Sequence, residues 1–407
     1  MKQIAKTLLL SIMTSFFAFA LLKFPDQSLE ASIRGLNIWW EVVFPSLLPF
    51  FITAELLISF GVVKFIGVLF EPIMRPLFNV PGIGSFGWIM GMSSGYPTGA
   101  KIAARLREEE QLSQIEAERL VSFTNASSPL FIFGAVSIGF FHDVKLGVLL
   151  ATCHYIGNAL VGICMRFYRI KEDKQQKKSK SGKSSVSIRR AFKEMHQTRI
   201  RHDRPLGEVL GDAVLNSIKT LVVVGGFIVL FSVITKLLFI INISPIIASV
   251  FEQLLNILSL PGEIALPFLS GLFEITIGAQ MLSQITTDSF LATAILVSFI
   301  LGFNGFSVQA QVASIIGKTD IRFAPYFFSR LLHGIIASLL TVILYKPLYL
   351  DKQAFEMDDV AVSQEVSQNF WVTTLDMLKQ MGPIITIVFL GLAGLILYKR
   401  ILKKDVA

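Results

Sequence analysis

Two stretches decide how this chain folds. The first is GMSSGYPTGAK (91–101), followed by LVSFTNASSPLFIF (120–133). The second is SGLFEITIGAQ (270–280), followed by LVSFILGFNGFSVQA (296–310). Each pairs an apolar piece broken near its middle (82–105 and 264–286) with an apolar span that carries its own break. Gly, Pro, Asn and Ser interrupt helices because they admit left-handed backbone, remove a donor or bond their own main chain. A spanning helix needs about 20 apolar residues, so neither limb of 82–105 or of 264–286 crosses alone. Each is expected to be a re-entrant helical hairpin. Such backbone is tolerated at membrane depth only where protein buries it or a wet cavity meets it.

The surrounding sequence is that of a membrane protein. Of 407 residues, 53% are hydrophobic and 16% charged, against about 25% charged in soluble domains. Spans are expected near 7–24, 38–60, 119–141, 144–168, 217–242, 289–316, 323–349 and 372–398, with interfacial helices near 61–80 and 244–260. The first 24 residues resemble a signal peptide but lack a polar region before any cleavage site, so a retained first helix is expected. Cys153 and Cys164 share one apolar block and read as packing residues.

The net charge of +8 is concentrated beside the spans rather than spread as a nucleic-acid surface. Between Arg169 and Arg204 stand 13 basic residues against four acidic ones, which marks a solvated cytoplasmic loop. Lys2, Lys64, Arg75, Lys101, Lys318 and Lys399 then fall on the same inner side, with both termini. The acidic stretch from Asp351 to Glu365 falls outside, where Trp39, Trp40 and Trp371 open their spans. In that topology the two broken pieces enter from opposite sides, so the repeat is inverted. Gly99-Ala100 matches Gly278-Ala279, and LVSF at 120–123 matches LVSF at 296–299 with the offset changed by three. The expected fold is thus all-α: a polytopic membrane protein with two inverted repeats, each a re-entrant helical hairpin plus a broken transmembrane helix. Its divisions are 1–80 (first helices), 81–168 (first repeat), 169–205 (basic loop), 206–350 (second repeat) and 351–407 (acidic loop and last helix).

Paired discontinuous helices in two halves point to a transporter site. At the first tip, Ser93, Ser94, Tyr96 and Thr98 are candidates, with Pro97 suited to open a half-helix whose free N–H groups favour an anion. A tight structural turn is the plain alternative. In the next break Asn125, Ser127 and Ser128 offer polar contacts, or else bond helix to helix. Glu274 in the second hairpin is expensive at bilayer depth. It reads as a ligand contact or a proton- or cation-coupling group, with an interfacial acid as the alternative; Thr276 lies beside it. Asn304 and Ser307 are the candidates of the second break. Lys101 and Arg105 share a helix face and suit either anion attraction or inner-leaflet charge. No nucleophile–base pair, metal spacing or phosphate loop is present in the sequence, so no enzyme activity, metal or cofactor is expected.

The run SGYPTGAKIAARLREEEQLSQIEAERLVSFTNASSPLFIFGAVSIGFF (94–141) resembles a family of sporulation integral membrane proteins of endospore-forming bacteria. That family belongs with the nucleoside-recognition Gate proteins. The resemblance covers essentially the whole chain, including FNGFSVQAQVASI (303–315). GFNGFS (302–307) is also similar to a stretch of concentrative nucleoside transporters, which carry two re-entrant hairpins in inverted repeats. The resemblance implies a role in spore formation: carrying dipicolinic acid, a small anionic metabolite, from the mother cell across the outer forespore membrane. Chemistry, rather than the family, suggests that half-helix N-termini and hydroxyls would receive its carboxylates and Tyr96 its ring. The alternatives are a nucleoside or other metabolite permease, and a non-transporting assembly factor that recruits partners through the basic loop.

Overall fold

The computed structural model describes residues 2–172, 188–201, 204–257, 261–285 and 290–351. The expected last span at 372–398, the acidic loop with Trp371, and the centre of the basic loop lie outside the described residues. Among the described residues every regular element is helical, and long apolar helices identify a polytopic membrane protein.

Helix α1 (Lys2–Lys23) exposes Leu8, Leu9, Ile12, Phe16 and Phe19, as a lipid-facing helix does. It bends by 102° into α2 (Pro25–Asn37), which passes through a π-helical turn at Ile38–Val43 into α3 (Phe44–Ser59). The sequence reading has no helix at 25–37, because PDQSLEASIRGLN is polar. Its buried face is the small-residue row Ser28, Ala31 and Gly35. Gly35 lies against α10 (Leu206–Ile240), where an added Cβ would stand 2.9 Å from the Val229 Cα. Small residues let helix backbones approach this closely in a membrane. At Gly61 (φ +76°) the chain turns by 83° into α4 (Val62–Phe78), the helix expected to lie in the interface.

The first hairpin is α5 (Gly84–Ser94) and α6 (Thr98–Glu108), broken at 95–97. Its limbs close on glycine: a Cβ on Gly91 would lie 3.2 Å from the Gly99 Cα. The first broken span is α7 (Gln114–Thr124), opened by a Ser113/Glu116 capping box, and a π-helical segment Leu130–Phe140. After α8 (Val144–Met165), α9 (Ile188–Arg201) and α10, the second half runs α11 (Ile243–Ile257), then hairpin α12 (Ala265–Phe273) and α13 (Ile275–Ser283). Its broken span is α14 (Phe290–Phe303) and α15 (Gly305–Ile316), interrupted at Asn304 (φ +72°), and α16 (Phe323–Tyr345) follows.

Side-chain bonds show that the hairpins enter from opposite ends. At one end Arg107 clamps Asp320 through two bonds of 2.8 Å, and Arg119 bonds the carbonyls of Asn79 (3.1 Å) and Tyr168. The base of the first hairpin sits there. At the other end Tyr349 donates to Asp143 (2.7 Å), and Phe290, which follows the second hairpin, stacks on Tyr349 and meets Phe141 edge-on.

One register relates the halves. Helices α4, α5 and α7 end at Phe78, Ser94 and Thr124; α11, α12 and α14 end at Ile257, Phe273 and Phe303, each 179 residues later. Helices α8 and α16 begin with the same separation. Gly99-Ala100 and Gly278-Ala279 keep this register. The two LVSF stretches do not: they are three residues out of phase, so that identity is coincidental in apolar sequence.

Candidate functional site

Between the two tips lies a cavity of about 400 Å³, within the range of small-molecule sites. Ser94, Gly95 and Tyr96 of the first hairpin line it, with Glu274 and Thr276 of the second. Ser128 from the first broken span and Ser307 and Gln311 from the second complete the polar part. The rest is apolar wall, including Val224 and Ile228 of α10 and Phe131. Among the described lining residues there is no Lys, Arg or His, and Glu274 is the one carboxylic acid.

Six of the eleven candidates therefore share one cavity: Ser94, Tyr96, Ser128, Glu274, Thr276 and Ser307. Ser93 is exposed away from it and bonds the Ile89 carbonyl (2.8 Å). Thr98, Asn125, Ser127 and Asn304 are buried and lie outside the lining set. Lys101 forms an ion pair with Glu55 of α3 (3.1 Å) over the Phe51 ring, and Arg105 pairs with Glu109 (2.8 Å). Neither lines the cavity.

The half-helix ends are not equivalent. Glu274 caps its own helix: its carboxylate accepts from the Ile277 N–H (2.9 Å) and from the Thr276 hydroxyl. The anion seat at the start of α13 is thus filled from within the chain. Ser128 accepts from the Phe131 N–H (3.2 Å), while α6 begins after Pro97 with no side-chain cap.

A family model described as Gate, nucleoside recognition, matches residues 40–141 and again 221–319. The sporulation integral membrane protein YlbJ of Bacillus subtilis (strain 168) is 49% identical over 384 residues, 94% of this chain and 93% of its own length. The chain belongs to this Gate family. No solved structure matches it. The two matches make each half one Gate unit: two successive helices (α3 and α4, or the end of α10 and α11), a hairpin and a broken span.

The Gate units meet through their own equivalents. Asn304 Nδ2 donates to the Asn125 carbonyl (3.0 Å), and His333 Nε2 bonds the His154 carbonyl (2.8 Å), both across 179 residues. The two imidazoles lie 4.6 Å apart. Residues that touch their own repeat partner mark the pseudo-twofold axis between the units. Geometry also sets the rings: His154 Nε2 accepts from the Ser127 N–H (2.9 Å), and His333 Nδ1 faces an Arg330 donor (3.1 Å).

Arg330, fully buried on α16, is the residue the sequence reading misses. Its guanidinium donates to the carbonyls of Ser122 and Asn125 (3.0 Å to the latter) and to Asn158 Oδ1 (3.3 Å). It thus caps the interrupted C-terminus of α7, where carbonyls lack helical partners and carry partial negative charge. Tyr326 joins the two breaks by accepting from Asn125 Nδ2 (2.7 Å) and Asn304 Nδ2 (3.4 Å). The signal was available: Tyr326, Arg330 and His333 fall on one helical face inside an apolar span, and intramembrane charge marks function.

Proposed function

We propose that the chain is a permease whose cargo occupies the cavity between the two hairpin tips and leaves by rocking of one bundle against the other. The supporting observation is that two helix interruptions, entering from opposite ends, line one cavity. In a sporulation membrane protein the proposed cargo is dipicolinate, carried from the mother cell across the outer forespore membrane, with the termini and basic loop cytoplasmic. The chain transports without catalysing a reaction.

The cavity's charge constrains that cargo. A bare dicarboxylate would meet Glu274 and no cationic side chain among the described lining residues, an uncompensated burial of like charges. The anion therefore crosses with a proton or cation, for which Glu274 is the coupling group. The same uncharged wall favours a second cargo class, a neutral hydroxyl-bearing ring such as a nucleoside, in keeping with the family description.

Proteoliposome uptake tests both readings. Dipicolinate uptake should saturate, should depend on a proton or cation gradient, and should be lost when Ser307→Trp fills the cavity. Saturable nucleoside uptake without dipicolinate uptake would select the second cargo. Equal uptake by empty and loaded vesicles for every solute would remove the permease reading.

A further inference from the structure

A second cavity, about 480 Å³, opens where α9, the α3–α4 turn and the start of α10 meet. Phe60, Val62, Met195, Leu206 and Val209 form its apolar walls, and Arg199 and Arg204 stand in it. Arg204 is held by Asp212 (2.7 Å) and Glu208 (3.3 Å). Arg199 has no ion-pair partner among the described residues.

The cavity depends on a seated helix. Gly61 is left-handed, and a Cβ there would lie 2.7 Å from the Met195 carbonyl oxygen. Phe192 packs on Phe65 of α4, with ring centroids 4.9 Å apart. Beside this seat, α9 exposes Ile188, Phe192 and Ile200 among Arg189 and Lys193, and α10 exposes Leu206 and Leu210. A basic helix with exposed apolar side chains suits the headgroup level of a bilayer.

We propose that this cavity binds an anionic phospholipid, its phosphate on Arg199 and Arg204 and its acyl chains along Leu206, Val209 and Leu210. Guanidinium groups match phosphate oxygens in pairs. The apolar walls and the exposed leucines running away from the arginines suit an acyl chain, which a free anion lacks. The site is separate from the cavity between the tips and does not depend on the cargo.

The test uses the full chain in detergent, with bound lipid counted by native mass spectrometry. Phosphatidylglycerol and phosphatidylcholine of matched chains are compared. Phosphatidylglycerol should be retained preferentially. Arg199→Gln and Arg204→Gln should each weaken its retention roughly tenfold, the loss of one charge-assisted bond. Lys193→Gln, on the same helix but outside the cavity, should leave retention unchanged, while Gly61→Val should lower it by displacing α9. Equal retention of the two lipids by the unmodified chain would overturn the site. So would an equal loss with Lys193→Gln, which indicates diffuse charge, or full displacement by inorganic phosphate, which indicates a free-anion site.

Discussion

At the tip of the first hairpin stands Gly95; 179 residues later, at the tip of the second, stands Glu274. On α8 the positions equivalent to Tyr326 and Arg330 are Gly147 and Ala151. Against these differences, Asn125/Asn304, Ser128/Ser307 and His154/His333 are identical pairs in the same register. The identical pairs lie at the breaks or on the axis, where each unit needs a partner for its interrupted backbone. Of the positions compared, Glu274, Tyr326 and Arg330 are ionisable in the second unit where the first has Gly95, Gly147 and Ala151. The frame is symmetric, and the ionisable groups at these three positions are not.

The sharpest way to break this comparison is to remove the charge that the first unit lacks. Arg330→Met leaves the carbonyls of Ser122 and Asn125 and the Asn158 amide oxygen buried without that donor. It should lower stability by about 3 kcal/mol or more, read as a fall in Tm of the purified chain. A Tm equal to that of the parent would mean the guanidinium is dispensable to the first broken span.

Next come the two tips. Gly95 has φ +88°, and an added Cβ would lie 3.1 Å from the Ser128 nitrogen. Gly95→Ala should therefore cost about 1–3 kcal/mol of backbone strain, again visible in Tm. Glu274→Gln should behave in the opposite way, with insertion and Tm near the parent and uptake reduced roughly tenfold, the equivalent of about 1.4 kcal/mol. Unchanged dipicolinate content in spores carrying Glu274→Gln would separate that carboxylate from transport.

The smallest effect is expected at the clamp joining the units. Its bond to Arg107 holds the Asp320 carboxyl below the usual aspartate range. A depressed carboxylate contributes stability above its unfolded value, about 3.9, and loses it as pH falls through the lower folded value. The pair is partly exposed, so Arg107→Gln should cost under about 1 kcal/mol. That difference should vanish in unfolding measured well below pH 4.

The hairpins and breaks were legible because Gly, Pro, Asn and Ser interrupt apolar runs, and interruption is a local signal. Six candidates reached the cavity for that reason. Asn125 and Asn304 were legible as breaks but turned out to bond each other's unit rather than line the space. Helix α2 was hidden because its contact face is made of Ser, Ala and Gly, which hydrophobic periodicity does not register. The pairing of His154 with His333 was hidden because isolated residues match only once the register is known. The LVSF identity pointed to the wrong one.

The most direct measurement joins Ser128 to Ser307. Both are changed to Cys in a chain whose Cys153 and Cys164 are Ala, with a protease site placed in the basic loop. After treatment in membranes with a short bismaleimide, cleavage should leave the two halves covalently joined. Halves that separate completely after such treatment would contradict a single cavity shared by both Gate units.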